Sequence, residues 1–305
     1  MKLLTRANKD PEALVKTSYS LLDQSKQAKP FLKWVGGKTQ LLEAILDLVP
    51  TKIGTYYEPF LGGGAVFFAT ASLKRFEQAV INDRNQELVD CYTVIRDFPQ
   101  ELMRRLDELE YSPEVFAELR KLLPLDMSPV YRAARTIYLN KAGFNGLYRV
   151  NKSGQFNAPF GRHKKPPRFY DENVILACSL ALNGPVRLYS QDFSTIVDQA
   201  GPLDFVYLDP PYVPVNPTSN FVSYTAGGFS QADQERVVKL FKDLAGQGVG
   251  VLASNSDTDV VRSLYADFDI YEIKARRSIN SNGAKRGPVG EVLIAANLPH
   301  IRREP

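Results

Sequence analysis

Hydrophobic and polar positions along the chain fall into two regimes. From residue 30 to 97, and again from 185 onward, short apolar runs alternate with amphipathic stretches. The runs Thr55 to Tyr57, Ala79 to Asn82, Val186 to Tyr189, Phe205 to Leu208, Val249 to Ala253, Ile270 to Ile273 and Val292 to Ala296 read as strands. Between them, helices are predicted over Thr39 to Leu48, from Ala65, and over Asn85 to Arg96, with another opened by Ser230-Gln231-Ala232-Asp233, a capping pattern. This rhythm is that of an α/β fold. Residues 98 to 184 break it: Glu101 to Leu109, Pro113 to Leu123, Ser128 to Lys141 and Asp171 to Leu182 all read as helices. The pattern predicts an α/β sheet carrying an inserted, mainly helical domain. Its parts are an extension (1–29, with a short helix near Pro11 to Leu22), a first half-sheet (30–97), the insertion (98–184) and a second half-sheet (185–305).

Composition excludes several classes. The chain has 305 residues, 44% of them hydrophobic, and its longest strongly apolar run, Val174 to Leu182, is far short of a membrane span. No apolar block with a cleavage site opens the chain, so no secretory signal is expected. Cys91 and Cys178 are the two cysteines and His163 and His300 the two histidines, too few for a disulfide framework or a metal site. A reducing cytoplasm, no metal and no membrane partner are the expectation.

Charge is uneven. Arg132, Arg135, Lys141, Arg149, Lys152, Arg162, Lys164, Lys165 and Arg168 lie between Tyr131 and Tyr170 with no acidic residue among them, leaving 29 basic against 34 acidic residues elsewhere. Aromatic residues interleave with these cations, which favours a nucleic-acid surface over a merely solvated loop. Lys274, Arg276, Arg277, Lys285 and Arg286 form a second cluster, a phosphate contact or a solvated loop.

The candidate chemistry sits at strand ends. Asp209-Pro210-Pro211-Tyr212 follows the apolar run Phe205 to Leu208, and two prolines can neither extend a ladder nor start a helix at once. A carboxylate, two carbonyls and an aromatic ring are thus held where open α/β sheets bind ligands. Glu58-Pro59-Phe60-Leu61-Gly62-Gly63-Gly64 forms a glycine loop between a strand and a helix. Asp83 ends the next strand, placed to hold ribose hydroxyls or to cap the following helix. Asp192 and Phe193 follow another strand, suited to an adenine amino group and ring. Gly37-Lys38-Thr39 lacks the glycine of a P-loop, since Leu32 stands in its place, and the glycine loop does not match the dinucleotide fingerprint. Jointly the strand ends describe a nucleoside pocket. Tyr224 and Phe229 are weaker candidates to line it.

These elements resemble those of the Dam-type DNA adenine-N6 methyltransferases. Lys33-Trp34-Val35-Gly36-Gly37-Lys38 is similar to the family's KWxGGK element and the Glu58 to Gly64 loop to its EPFxGxG element. Phe144 to Arg149 and Gly154 to Gly161 resemble its FNGLxR and GxFNxPFG elements, and DPPY follows in the family's order. The resemblance covers roughly residues 30 to 298. It implies a Rossmann-like sheet that uses S-adenosylmethionine (SAM) to methylate a flipped adenine in double-stranded DNA, within GATC. It implies that Trp34, Lys38, Glu58, Phe60, Gly62, Gly64, Asp83, Asp192, Phe193 and Asp209 surround the cofactor, and that Asp209, Pro210 and Tyr212 are catalytic. Phe144, Asn145, Leu147, Arg149, Asn157, Pro159, Arg162, His163, Lys164 and Lys165 would contact DNA, His163 standing where the family often carries an aromatic residue. A restriction endonuclease acting on the same site is a partner the resemblance admits. The competing readings are a methyltransferase acting on RNA or a protein amide, and a non-catalytic DNA-binding relative. Protein-amide enzymes more often carry Asn at the Asp209 position, and the intact Asp209, Tyr212 and glycine loop argue against a decayed site.

Overall fold

The computed structural model describes residues 27–151, 153–212, 229–275 and 289–298. A 3-10 turn, Lys38–Gln40, leads into α1 (Leu42–Leu48), so the first expected helix begins as a tight turn behind Gly36-Gly37. There follow β1 (Ile53–Glu58), α2 (Ala65–Ser72), β2 (Phe76–Asn82) and α3 (Gln86–Asp97). Next come α4 (Pro99–Asp107), α5 (Pro113–Lys121), α6 (Pro129–Ala142) and α7 (Glu172–Leu182). The chain then forms β3 (Val186–Tyr189), β4 (Phe205–Leu208), α8 (Gln231–Gly246), β5 (Gly250–Ser256), α9 (Asp259–Leu264), β6 (Asp269–Ala275) and β7 (Val289–Ala296). The expected helix near Pro11 to Leu22, Tyr224 and most of the second basic cluster lie outside the described residues.

The seven strands form one sheet in the order β3-β2-β1-β4-β5-β7-β6. This is a mixed α/β sheet of the Rossmann-like kind that the resemblance implies. The first five strands in that order run parallel, while β7 runs antiparallel to both β5 and β6. Chain order reverses between β1 and β4, which makes the crevice beyond their carboxyl ends the natural ligand site.

Successive side chains of a strand point to opposite faces, and the two cores follow that alternation. Tyr56, Ala79, Ile81, Phe205 and Tyr207 pack with α1, α2, α3 and α7. Tyr57, Val80, Val206 and Leu208 pack with Val237 and Phe241 of α8 and Val261 of α9. A third cluster joins Phe116 and Leu119 of α5, Tyr138, Leu139 and Ala142 of α6, and Tyr148, Val150, Phe156 and Ala158. The segment around Arg149 therefore rests on its own core, and α6 bridges, because its Ala133, Ala134 and Ile137 belong to the sheet-side core.

Two expectations needed adjustment. The strand predicted over Val249 to Ala253 runs on through Ser256: all seven residues of β5 are buried, and Ser254 Oγ meets Tyr207 Oη at 2.7 Å. A partner for the hydroxyl lets a polar residue stay in the ladder. Helix α3 is capped by Asn85, whose Oδ1 accepts from Leu88 N at 3.2 Å, rather than by Asp83.

Candidate active site

The parallel strands deliver Glu58, Asp83, Asp192 and Asp209 to one edge of the sheet. Asn82 ties that edge together: its Nδ2 donates to the Pro59 and Gln191 carbonyls at 3.0 and 3.2 Å, and its Oδ1 accepts from Gln191 N at 2.8 Å.

At the centre, Lys38 Nζ lies 2.8 Å from Asp209 Oδ1, with side chains 6% and 18% exposed. Lys38 Nζ also donates to the Gly36 carbonyl at 2.6 Å and stands 4.8 Å from the centroid of the Tyr212 ring. Burial raises the Asp209 carboxyl to about 6; Lys38 pulls against that rise and Glu291 adds to it. Glu58, 2% exposed, turns into the protein, where Tyr56 Oη donates to its Oε2 at 2.7 Å. Burial holds its carboxyl well above the usual carboxylate range.

The glycine loop is shaped by three neighbours. Gly62 and Gly64 have φ of 49° and 69°, in the left-handed region that favours glycine. Asp83 Oδ2 accepts from Gly62 N at 2.9 Å while its Oδ1 accepts from Asn85 N at 2.8 Å, and Tyr92 Oη donates to the Gly62 carbonyl at 2.9 Å. A Cβ at Gly64 would sit 2.7 Å from Tyr92 Oη, and one at Gly62 3.1 Å from Trp34 Cδ1. Burial raises the Asp83 carboxyl, against the lowering pull of both backbone bonds.

Beside the loop stands an aromatic wall. Phe60 lies 5.1 Å from Phe193 between ring centroids, and Phe229 approaches them at 6.1 and 6.4 Å. Arg236, on α8, covers Phe193 with its guanidinium 4.6 Å from the ring centroid and reaches Asp192 Oδ1 at 2.6 Å. Partial burial acts upward on the Asp192 carboxyl, but Arg236 and Ser194 hold it down at about 2.

The recognition candidates form a separate group. Val150 pairs with Phe156 and Gly143 with Phe160 in antiparallel bridges. Arg149 and Asn157 thereby face each other, Nε donating to Asn157 Oδ1 at 2.7 Å and Nη2 to the Asn157 carbonyl at 3.0 Å. Phe144 is half exposed at the tip of a turn in which Asn145 and Gly146 have φ of 56° and 66°. Phe144 N donates to the Pro159 carbonyl at 2.8 Å, and Leu147 is partly buried. Arg162, His163, Lys164 and Lys165 follow as an exposed run, His163 N donating to Tyr111 Oη at 3.0 Å.

Two links join this group to the sheet edge. Trp34 and Tyr148 lie 5.0 Å apart between centroids at an interplanar angle of 30°. Buried Asn140 accepts from Lys33 N at 3.2 Å and donates to the Lys33 and Gly146 carbonyls, both at 2.9 Å.

The basic segment is less outward-facing than its composition implies. Arg132 pairs with Asp90 at 2.8 Å, and Arg135, 1% exposed, pairs with Glu87 at 2.9 Å. Both acids sit on α3, so these two cations serve the packing of α6. Arg149, Arg162, Lys164, Lys165 and Arg168 remain exposed.

Sequence reasoning overlooked Glu291, which accepts from Tyr212 Oη at 2.8 Å, and Gln234, whose Nε2 donates to the Pro211 carbonyl. It also overlooked Arg236, Tyr92 and Asn140. A lone acid opening the apolar run Val292 to Ala296 was the available signal for Glu291. The others carried none.

The residues fit the cofactor implied by the resemblance. A left-handed glycine turn, partly exposed carboxylates at Asp83 and Asp192, and a phenylalanine wall of buried Phe193 with half-buried Phe60 and Phe229 are the set of groups a positively charged nucleoside needs. Among the described residues, no group of three or more His, Cys, Asp or Glu side chains could hold a metal ion, and no helix is long and apolar enough to cross a membrane.

Residues 34–279 match the family described as D12 class N6 adenine-specific DNA methyltransferase. A Type II methyltransferase of Lactococcus lactis subsp. cremoris is 44% identical over 283 residues, spanning 90% of this chain and 98% of its own. A Type II methyltransferase of Methanocaldococcus jannaschii is 38% identical over 287 residues, 88% of this chain and 99% of its own. The DNA adenine methylase of Escherichia coli K12 is 34% identical over 273 residues, 88% of this chain and 95% of its own.

Proposed function

This chain belongs to the D12 class N6 adenine-specific DNA methyltransferases, and we propose that it transfers the methyl group of SAM to N6 of an adenine turned out of duplex DNA, within GATC. The observation that carries this reading is Asp209, held at the end of β4 by Lys38 at 2.8 Å, ahead of two prolines at the switch point of the sheet.

The adenine amino lone pair is delocalised into the ring, so the nitrogen is a poor nucleophile. Asp209 and the Pro210 carbonyl accept its two hydrogens, which localises the lone pair and stabilises the positive charge that develops on nitrogen. A carboxyl raised to about 6 is also suited to take the proton that N6 sheds, because acceptors tuned close to ambient pH work best. Tyr212 stacks on the base, which must leave the duplex before its amino group can be reached. When bound, SAM supplies an electrophilic methyl on a positively charged sulfur. Asp83 binds its ribose, Asp192 and Phe193 its adenine, and Trp34, Phe60 and the Gly62 to Gly64 turn the remainder. Glu58 supports this pocket from beneath.

Residues 98–184 read the DNA. Arg149 contacts a base edge, oriented by Asn157; Phe144, Asn145, Leu147 and Pro159 line the groove; Arg162, His163, Lys164 and Lys165 follow the phosphates. Catalysis takes place in the cytoplasm, where both buried thiols stay reduced.

Incubation with labelled SAM and DNA, RNA or protein tests the reading, followed by sequencing of modified bases in plasmid DNA. N6-methyladenine confined to GATC is expected. Label in RNA or protein instead of DNA would overturn the substrate, and methylation at another site the sequence.

A further inference from the structure

The two edge partners of the DPPY loop come from elements that the motif does not include. β7 runs antiparallel to β5, so its first residues, not its last, reach the ligand edge of the sheet. Glu291 lies there, opposite Ser256 of β5 and Ile273 of β6. The residues after it, Val292 to Ile294, are buried and apolar. A carboxylate at such a place is costly to desolvate unless it is bonded, and its Oε2 accepts the Tyr212 hydroxyl at 2.8 Å. Across the loop, Gln234 of α8, a buried residue, donates to the Pro211 carbonyl. Lys38 Nζ stands against the ring face at 4.8 Å. The Tyr212 ring is thus held at its hydroxyl, at the carbonyl preceding it and at one face.

We propose that Glu291 is a positioning residue for methyl transfer: through the Tyr212 hydroxyl it fixes the plane of the ring on which the extruded base stacks. The inference rests on the reading above that Tyr212 receives the target base. The χ2 torsion of tyrosine is broad, and offset stacking needs a defined plane. A ring oriented before the base arrives spares the ordering cost at the moment of reaction. Gln234 has the same effect on the backbone.

The test is a double-mutant cycle on the full chain, read by single-turnover methyl transfer to DNA, with SAM affinity and folding measured alongside. Glu291→Ala should slow transfer roughly 10–100-fold, the scale of one hydrogen bond to a charged group, while SAM affinity stays unchanged. Glu291→Gln should recover most of the rate, because its amide oxygen accepts the same bond. In a Tyr212→Phe background, Glu291→Ala should cause no further loss. A substrate with 2-aminopurine at the methylated position should lose its stacking quench in Glu291→Ala. If Glu291→Ala does not fold, Glu291→Met takes its place in the cycle. Equal slowing with and without the Tyr212 hydroxyl, or no slowing at all, would overturn the inference while leaving adenine methylation intact. A wild-type protein inactive on DNA would overturn both.

Discussion

Lys38 and Asp209 meet at 2.8 Å inside the crevice, joining the turn before α1 to the loop after β4. The pair sets the electrostatics of the site. Breaking a buried pair leaves one charge uncompensated, so both members matter for the fold as well as for chemistry. Lys38 Nζ also donates to the Gly36 carbonyl at 2.6 Å, a bond that does not depend on the carboxylate for its acceptor.

Activity should rise with pH through about 6. Burial raises the Asp209 carboxyl, with Lys38 opposing and Glu291 reinforcing the rise. Tyr207, Tyr212, Tyr56 and Glu58 also face it. The folded-state value lies above that of a free carboxyl, so the ionised form that accepts the amino hydrogens appears as pH rises through that value. The acid limb of kcat/KM reports this group. Glu291→Gln removes a neighbouring negative charge and should move the limb to lower pH. A profile flat across this range would contradict the assignment.

Asp83→Ala should weaken SAM binding by about 1.5–3 kcal/mol, the scale of a hydrogen bond to a charged acceptor. The structure adds a second cause, because the same carboxylate holds Gly62 N at 2.9 Å. Asp83→Asn retains an acceptor for the loop and should lose less. Calorimetry giving an unchanged dissociation constant for Asp83→Ala would remove it from the pocket.

Arg149 and Lys164 should fail differently. The Arg149 fork, held by Asn157 at 2.7 and 3.0 Å, suits two hydrogen bonds to a guanine edge. Arg149→Ala should cost about 1–3 kcal/mol on the cognate site and relax preference at one base pair. Lys164→Ala should weaken all sequences alike and reduce the salt slope by about one unit. Methylation rates on substrates altered one base pair at a time decide between them. Uniform slowing by Arg149→Ala would make it a phosphate contact or a structural residue.

Much of this site was legible in the sequence because its chemistry falls at the ends of parallel strands. Asp83, Asp192 and Asp209 each follow an apolar run, and period-two alternation, as in Tyr56 and Tyr57, separates the two cores. What escaped depends on long-range pairing. Glu291 reaches the crevice because β7 reverses direction, which no local pattern records. Asn140 lies 107 residues from Lys33 in the chain yet ties it to Gly146, and it resembles any other polar residue in a helix. Arg135 belongs by composition to the basic segment, but its partner Glu87 lies on α3, 48 residues away.

The most direct test of the account is single-turnover methyl transfer by Asp209→Ala and Asp209→Asn, normalised to folded, DNA-binding protein. Removing one preorganised electrostatic contact typically costs ~100–1,000-fold in rate. Both variants should show at least that loss, with SAM affinity and DNA affinity much closer to wild type than the rate is. Near-normal transfer by either folded variant would contradict a mechanism that runs through the Asp209 carboxylate.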